Sequence, residues 1–96
     1  MKIERYQEGD RGYFYILSGD KKVAEMTYSI ENKELMVILH TEVDKLFRGK
    51  NIGYELVEAG VAYARQKNYK ILPVCIFAKK MMEMYRNRYS DVKMVK

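Results

Sequence analysis

His40-Thr41-Glu42-Val43-Asp44-Lys45-Leu46-Phe47-Arg48-Gly49-Lys50-Asn51-Ile52-Gly53 joins an apolar run, Leu35 to Leu39, to a helix-like pattern, Ile52 to Lys67. Two glycines, an arginine, a lysine and an asparagine gather where a helix should begin. The first backbone N–H groups of a helix have no intrahelical partners, and its macrodipole favours an anion there. Arg48 and Lys50 add formal positive charge. Such a junction suits a phosphate, and it also suits a plain glycine-rich turn from strand to helix. The residues alone leave both readings open.

Downstream of this stretch, Ile52, Leu56, Val57, Gly60, Val61 and Ala64 recur at helical spacing. Arg65 and Lys67 fall in the last turn, and Asn68 serves as the stop. A second apolar run, Ile71 to Phe77, follows and is broken by Pro73, which cannot donate to a ladder. That strand therefore needs an edge, a bulge or an early release near Pro73. Ala78, Met81, Met82, Tyr85 and Tyr89 then mark one face of a short terminal helix.

Upstream, Leu35-Met36-Val37-Ile38-Leu39 shows no alternation, the pattern of a central strand covered on both faces. Ala24, Met26, Tyr28 and Ile30 alternate with polar residues, the period of a half-buried strand. Tyr13 to Leu17 is aromatic and β-branched, and Lys2 to Tyr6 makes a short first strand. Turns fall at Glu8 to Gly12, Ser18 to Lys21 and Glu31 to Lys33. The predicted order is β-β-β-β-α-β-α: a mixed α/β domain over residues 1–96, with an antiparallel meander and one right-handed parallel crossover.

Composition narrows the function. The chain has 96 residues, 48% of them hydrophobic, which suits one domain with one core. No apolar run approaches the ~20 residues that cross a bilayer, and no signal segment opens the chain, so a cytoplasmic location is expected. One cysteine and one histidine leave no internal disulfide, and no metal site is expected. The net charge of +5 leans toward anionic partners. Lys79, Lys80, Arg86, Arg88, Lys93 and Lys96 gather late in the chain, a pattern weaker than a nucleic-acid stripe. Neither nucleic acid nor a membrane is an expected partner.

The apolar strand, R-G-K-N-I-G opening a helix, then a strand and a final helix resemble the acetyl-CoA-binding core of the GNAT superfamily of N-acetyltransferases. Arg48, Asn51 and Gly53 stand at the places of that superfamily's loop pattern, with Asn51 where a glycine is usual. Asparagine tolerates a positive φ better than other non-glycine residues. I-L-H-T-E-V, F-R-G-K-N-I-G-Y-E-L-V, A-R, K-I-L-P-V-C and Y-S-D-V extend the likeness to the short, single-domain GNAT-like proteins. Met81 stands where that branch carries an aromatic.

The resemblance implies a small acetyl-CoA-dependent N-acyltransferase, or alternatively a CoA- or acyl-CoA-binding module without catalysis. In either case the N–H groups of Phe47, Arg48, Gly49, Lys50, Asn51, Ile52 and Gly53 would cradle the pyrophosphate. The strand edge at Leu39, Thr41 and Val43 would pair with the pantetheine amides, with Phe77 across from it. Cys75, ending its strand, would protonate the departing thiolate or accept the acetyl group; its bland reading is a small buried hydrophobe. His40, ending the other parallel strand, would face Cys75 and take a proton from the amine, or simply cap the strand. Tyr85 is a further candidate acid, better read as core packing. Glu42 orients an amine or is solvated. Larger GNAT enzymes wall the acceptor with helices between their first two strands, and Glu8 to Gly12 leaves no room for them. The acceptor side should therefore be open, which suits a protein amine, a wall supplied by a partner, or no efficient transfer at all.

Overall fold

The computed structural model describes residues 2–94, so Lys96 of the basic group lies outside them. Five strands form one sheet in the order β1 (Ile3–Glu8), β2 (Arg11–Ser18), β3 (Lys21–Glu31), β4 (Leu35–Val43), β5 (Lys70–Pro73). The first four form an antiparallel meander, and β4 and β5 are parallel. Helix α1 (Ile52–Lys67) makes the crossover, and α2 (Ile76–Met84) and α3 (Arg86–Tyr89) complete the chain. The predicted order and mixed sheet are those of the structure.

The helical stripe behaves as its spacing demands. Ile52, Leu56, Val57, Gly60, Val61 and Ala64 are the buried residues of α1. They meet the sheet residues Phe14, Ile16, Met26, Met36 and Ile38 in one core. Gly60 lets helix and sheet approach: a Cβ there would stand 2.7 Å from Met26 Cε. Asn68 ends α1 in the left-handed conformation at φ 62°, with its N–H on the Ala64 and Arg65 carbonyls. Ala78, Met81 and Met82 of α2 join the same core, so both long helices lie on one face of the sheet.

Four features differ from the sequence reading. The run Ile71 to Phe77 is not one strand. β5 stops at Pro73, and the Ile38 carbonyl accepts from both Val74 N and Cys75 N, which draws the chain off the ladder. Cys75 is consequently the N-cap of α2 and not a strand residue. The terminal helix also breaks, because Tyr85 leaves helical geometry at φ −111°, ψ 40°. Finally, helices cover β4 on one face only; Val37 is buried on the other beside its cross-strand neighbours Ser29 and Leu72. The first turn is shorter than Glu8 to Gly12, with β1 and β2 continuing to Glu8 and Arg11.

Candidate active site

Among the described residues no strand lies beside β4 on its β5 side beyond Ile38, since β5 pairs only with Leu35–Ile38. The chain then passes Asp44, whose carboxylate accepts from Leu46 N at 3.0 Å and meets Lys21 Nζ at 3.2 Å. The Leu46 N–H first, and Lys21 second, hold that carboxyl below its ordinary range. A 3-10 turn, Lys45–Phe47, leads to Arg48, whose Nε donates to the Val43 carbonyl at 3.2 Å. Gly49 follows at φ +82° and Asn51 at φ 61°, ψ 22°. Two left-handed residues within three positions fold the loop back onto the start of α1. Asn51 occupies the N-cap without a side-chain cap bond, so the first-turn N–H groups of α1 stay open to an anion.

A cavity of about 580 Å³ starts at this loop and runs between the end of β4 and α2. Arg48, Gly49, Asn51 and Gly53 form its polar end, and Thr41, Val43 and Phe47 its wall along β4. Phe77, Met81 and Met84 close the α2 side. Gly53 leaves room for the ring of Phe77, which a Cβ would meet at 2.9 Å. One cation, Arg48, with open helix N–H groups at one end and an apolar trench beyond suits a long, mostly apolar ligand with an anionic centre. These residues fit the pyrophosphate and pantetheine arm of an acyl-CoA.

The two predicted reacting side chains part company here. Cys75 is partly buried and donates its S–H to Thr41 Oγ1, with Sγ at 3.4 Å. Thr41, in turn, lines the cavity. His40 lies on the other face of the sheet, 60% exposed, with Nε2 3.4 Å from Glu42. Cys75 thus meets Thr41 where the sequence reading expected His40. The reason is a β-bulge: Thr27 pairs with His40 but Tyr28 with Ile38, leaving Leu39 as an extra residue. The inserted residue reverses the alternation, turning Thr41 onto the helix face and His40 off it.

Of the residues read as donor-binding, Thr41, Val43, Phe47, Arg48, Gly49, Asn51, Ile52, Gly53 and Phe77 line the cavity, whereas Lys50 does not. The Leu39 side chain lines a depression on the opposite face with Tyr13 and Thr27. Tyr85, read as core packing, is 43% exposed and lines the cavity. Tyr54 and Lys80 also line it; Lys80 entered the sequence reading only among the late basic residues, and Tyr54 had no place there. Tyr54 lies off the apolar stripe of α1, in its first turn, and that position is the signal that could have found it. Its ring meets Tyr85 edge-on at 6.1 Å, and its hydroxyl accepts from Arg88.

A family model described as GCN5-related N-acetyl-transferase matches residues 13–92. The chain belongs to the GCN5-related N-acetyltransferases. This acetyltransferase takes its acetyl group from acetyl-CoA and delivers it to an amine. It is similar to a GCN5-like protein of Staphylococcus aureus solved in solution, at 32% identity and a TM-score of 0.69. That match covers 97% of this chain and 89% of the other. More distant likenesses show the fold alone. A GNAT family acetyltransferase of Elizabethkingia anophelis, solved with acetyl-CoA bound, is 15% identical with a TM-score of 0.62. The match covers 82% of this chain and 53% of that one. A ribosomal-protein-alanine N-acetyltransferase of Brucella melitensis is 14% identical with a TM-score of 0.63, over 93% and 65%. A comparison with curated proteins returned no match. No helix among the described residues is long and apolar enough to cross a membrane.

Proposed function

We propose that the cavity beside α1 holds acetyl-CoA with its thioester next to Thr41 and Cys75, and that Cys75 serves the transfer directly. The Cys75–Thr41 hydrogen bond carries this reading, because it joins the chain's one thiol to a residue of the cavity wall. The pyrophosphate sits on the open N–H groups at the start of α1, with Arg48 beside it. The pantetheine arm runs along the unpaired stretch of β4 toward Thr41. An acceptor amine, in its neutral form, attacks the carbonyl carbon. As the carbon–sulfur bond breaks, the Cys75 S–H protonates the departing CoA thiolate, and the Cys75 thiolate recovers a proton from the nitrogen that has just formed the amide. Thr41 Oγ1 aligns the thiol by accepting its S–H before the step. It is a positioning residue.

Cys75→Ser tests the assignment. A hydroxyl is a far weaker acid than a thiol, so release of CoA thiol in the presence of an amine should fall at least a hundredfold, the scale of a lost acid–base catalyst. Calorimetry should show acetyl-CoA binding unchanged. Unaltered turnover in the variant removes Cys75 from the mechanism.

A further inference from the structure

Both long helices lie on one face of the sheet, and the opposite face is left to its own side chains. Cross-strand partners there form rows: Glu4, Tyr15, Glu25 and Glu42 in one, and Tyr6, Tyr13, Thr27 and His40 beside it. The chain carries a net charge of +5, yet the first row contains three carboxylates and no cation. Each already has a neighbour from outside the row: Lys2 Nζ lies 3.6 Å from Glu4, His40 Nε2 3.4 Å from Glu42, and Lys22 reaches Glu25. Lys22 Nζ stands 2.5 Å from Glu25 Oε1 and 4.4 Å from the centre of the Tyr13 ring. An ammonium group is therefore held by a carboxylate and an aromatic face together.

The position of this face matters as much as its chemistry. A depression of about 360 Å³, lined by Lys22, Glu25 and Glu42, shares Val43 and Arg48 with the donor cavity. The two therefore adjoin at the end of β4 that carries Val43. Glu42 directly follows Thr41 along the strand, so the carboxylate row ends one residue from the thiol's partner. A second depression, about 600 Å³, continues the surface past Tyr6, Tyr13 and Leu39.

We propose that this open face docks the acceptor, an extended, cation-rich segment of a protein whose reactive lysine reaches the Thr41–Cys75 end of the donor cavity. Neighbouring basic side chains sit on Glu42 and Glu25 and against the rings of Tyr13 and Tyr15. The proposal rests on the donor site described above. An extended chain advances about 3.3 Å per residue and directs alternate side chains to one side, so cations two positions from the reactive lysine can reach the row. The face has no enclosing wall and would bury little of a small free amine, whereas a segment laid along it makes several contacts at once.

Two peptides test this, each with one lysine, flanked two positions away on both sides by arginine in one and by glutamine in the other; spermidine is the third acceptor. Binding is read by fluorescence anisotropy of labelled peptide, or for spermidine by calorimetry, and turnover by release of CoA thiol. The arginine-flanked peptide should bind and react best. Glu25→Gln should weaken its binding about three- to tenfold, while the glutamine-flanked peptide is unaffected. Lys22→Ala should strengthen binding of the arginine-flanked peptide by vacating the site, and Lys67→Ala, a charge-matched change at the far end of α1, should not. Equal losses on both peptides with Glu25→Gln, no loss, or weaker binding with Lys22→Ala would each overturn the docking face. Spermidine outperforming both peptides would overturn it in favour of a small polyamine. If acetyl-CoA binds but no acceptor releases thiol, the transfer mechanism fails, and anisotropy still decides the docking face.

Discussion

Asn51 holds the left-handed conformation at φ 61°, which costs most side chains about 1–2 kcal/mol and a glycine nothing. Its amide makes no cap bond, so its conformation, more than its side chain, serves the loop. Asn51→Gly should therefore fold as well as the parent and bind acetyl-CoA at least as tightly, with the approach to the backbone cleared. Asn51→Leu should lose roughly 1 kcal/mol in denaturant unfolding. The asparagine and the glycines were legible in the sequence because backbone demand narrows residue choice sharply. Thr41 was not: a threonine beside a histidine in a strand gives no sign of which one meets a thiol.

At the scale of elements, the fold was legible where periodicity is long and failed where one residue breaks it. The six-membered stripe of α1 and the alternation of β3 needed no other information. The β4 bulge has no signature within Leu35–Val43, because an extra residue in a ladder shows only when the partner strand is laid beside it. Pro73 announced an edge, a bulge or an early release, but not that Ile38 O would take two N–H groups and start a helix at once. The α1–α2 contact was equally hidden. Phe77 fits against α1 only because residue 53 has no side chain. In Gly53→Ala the Phe77 ring, 45% exposed, is free to swing aside, and the space it takes is the donor cavity. Stability should change little while acetyl-CoA affinity falls roughly tenfold, within the ~1–3 kcal/mol scale of overpacking. Calorimetry on the variant, and on Gly53→Ala with Phe77→Leu, should show the loss and then its recovery.

The described residues form a thin two-layer body of 39 × 31 × 19 Å, and residues 89–92 tie its layers together. Arg65 holds Asp91 through Nε at 2.9 Å, Lys70 Nζ donates to the Asp91 carbonyl at 2.6 Å, and Ile71 N donates to Val92 O at 2.6 Å. Tyr89 is fully buried and donates to Glu58 on α1. The Arg65 hydrogen bond, and then its charge, hold the Asp91 carboxyl below its ordinary range. A depressed carboxyl contributes stability above its unfolded pKa and loses it as pH falls through the folded one. The melting temperature should thus stay level from neutral pH to about pH 5 and decline below it. In Asp91→Asn the plateau should be lower and the acid decline shallower, both readable by circular dichroism across pH. The bulge at Leu39 also has a consequence for heredity. Removing the Leu39 codon deletes the one unpaired residue, and Thr41 should keep its orientation toward Cys75. Removing the Val37 codon should instead exchange the faces of its neighbours. Within one strand, the same three-nucleotide loss is expected to be tolerated at one address and to abolish thiol release at another.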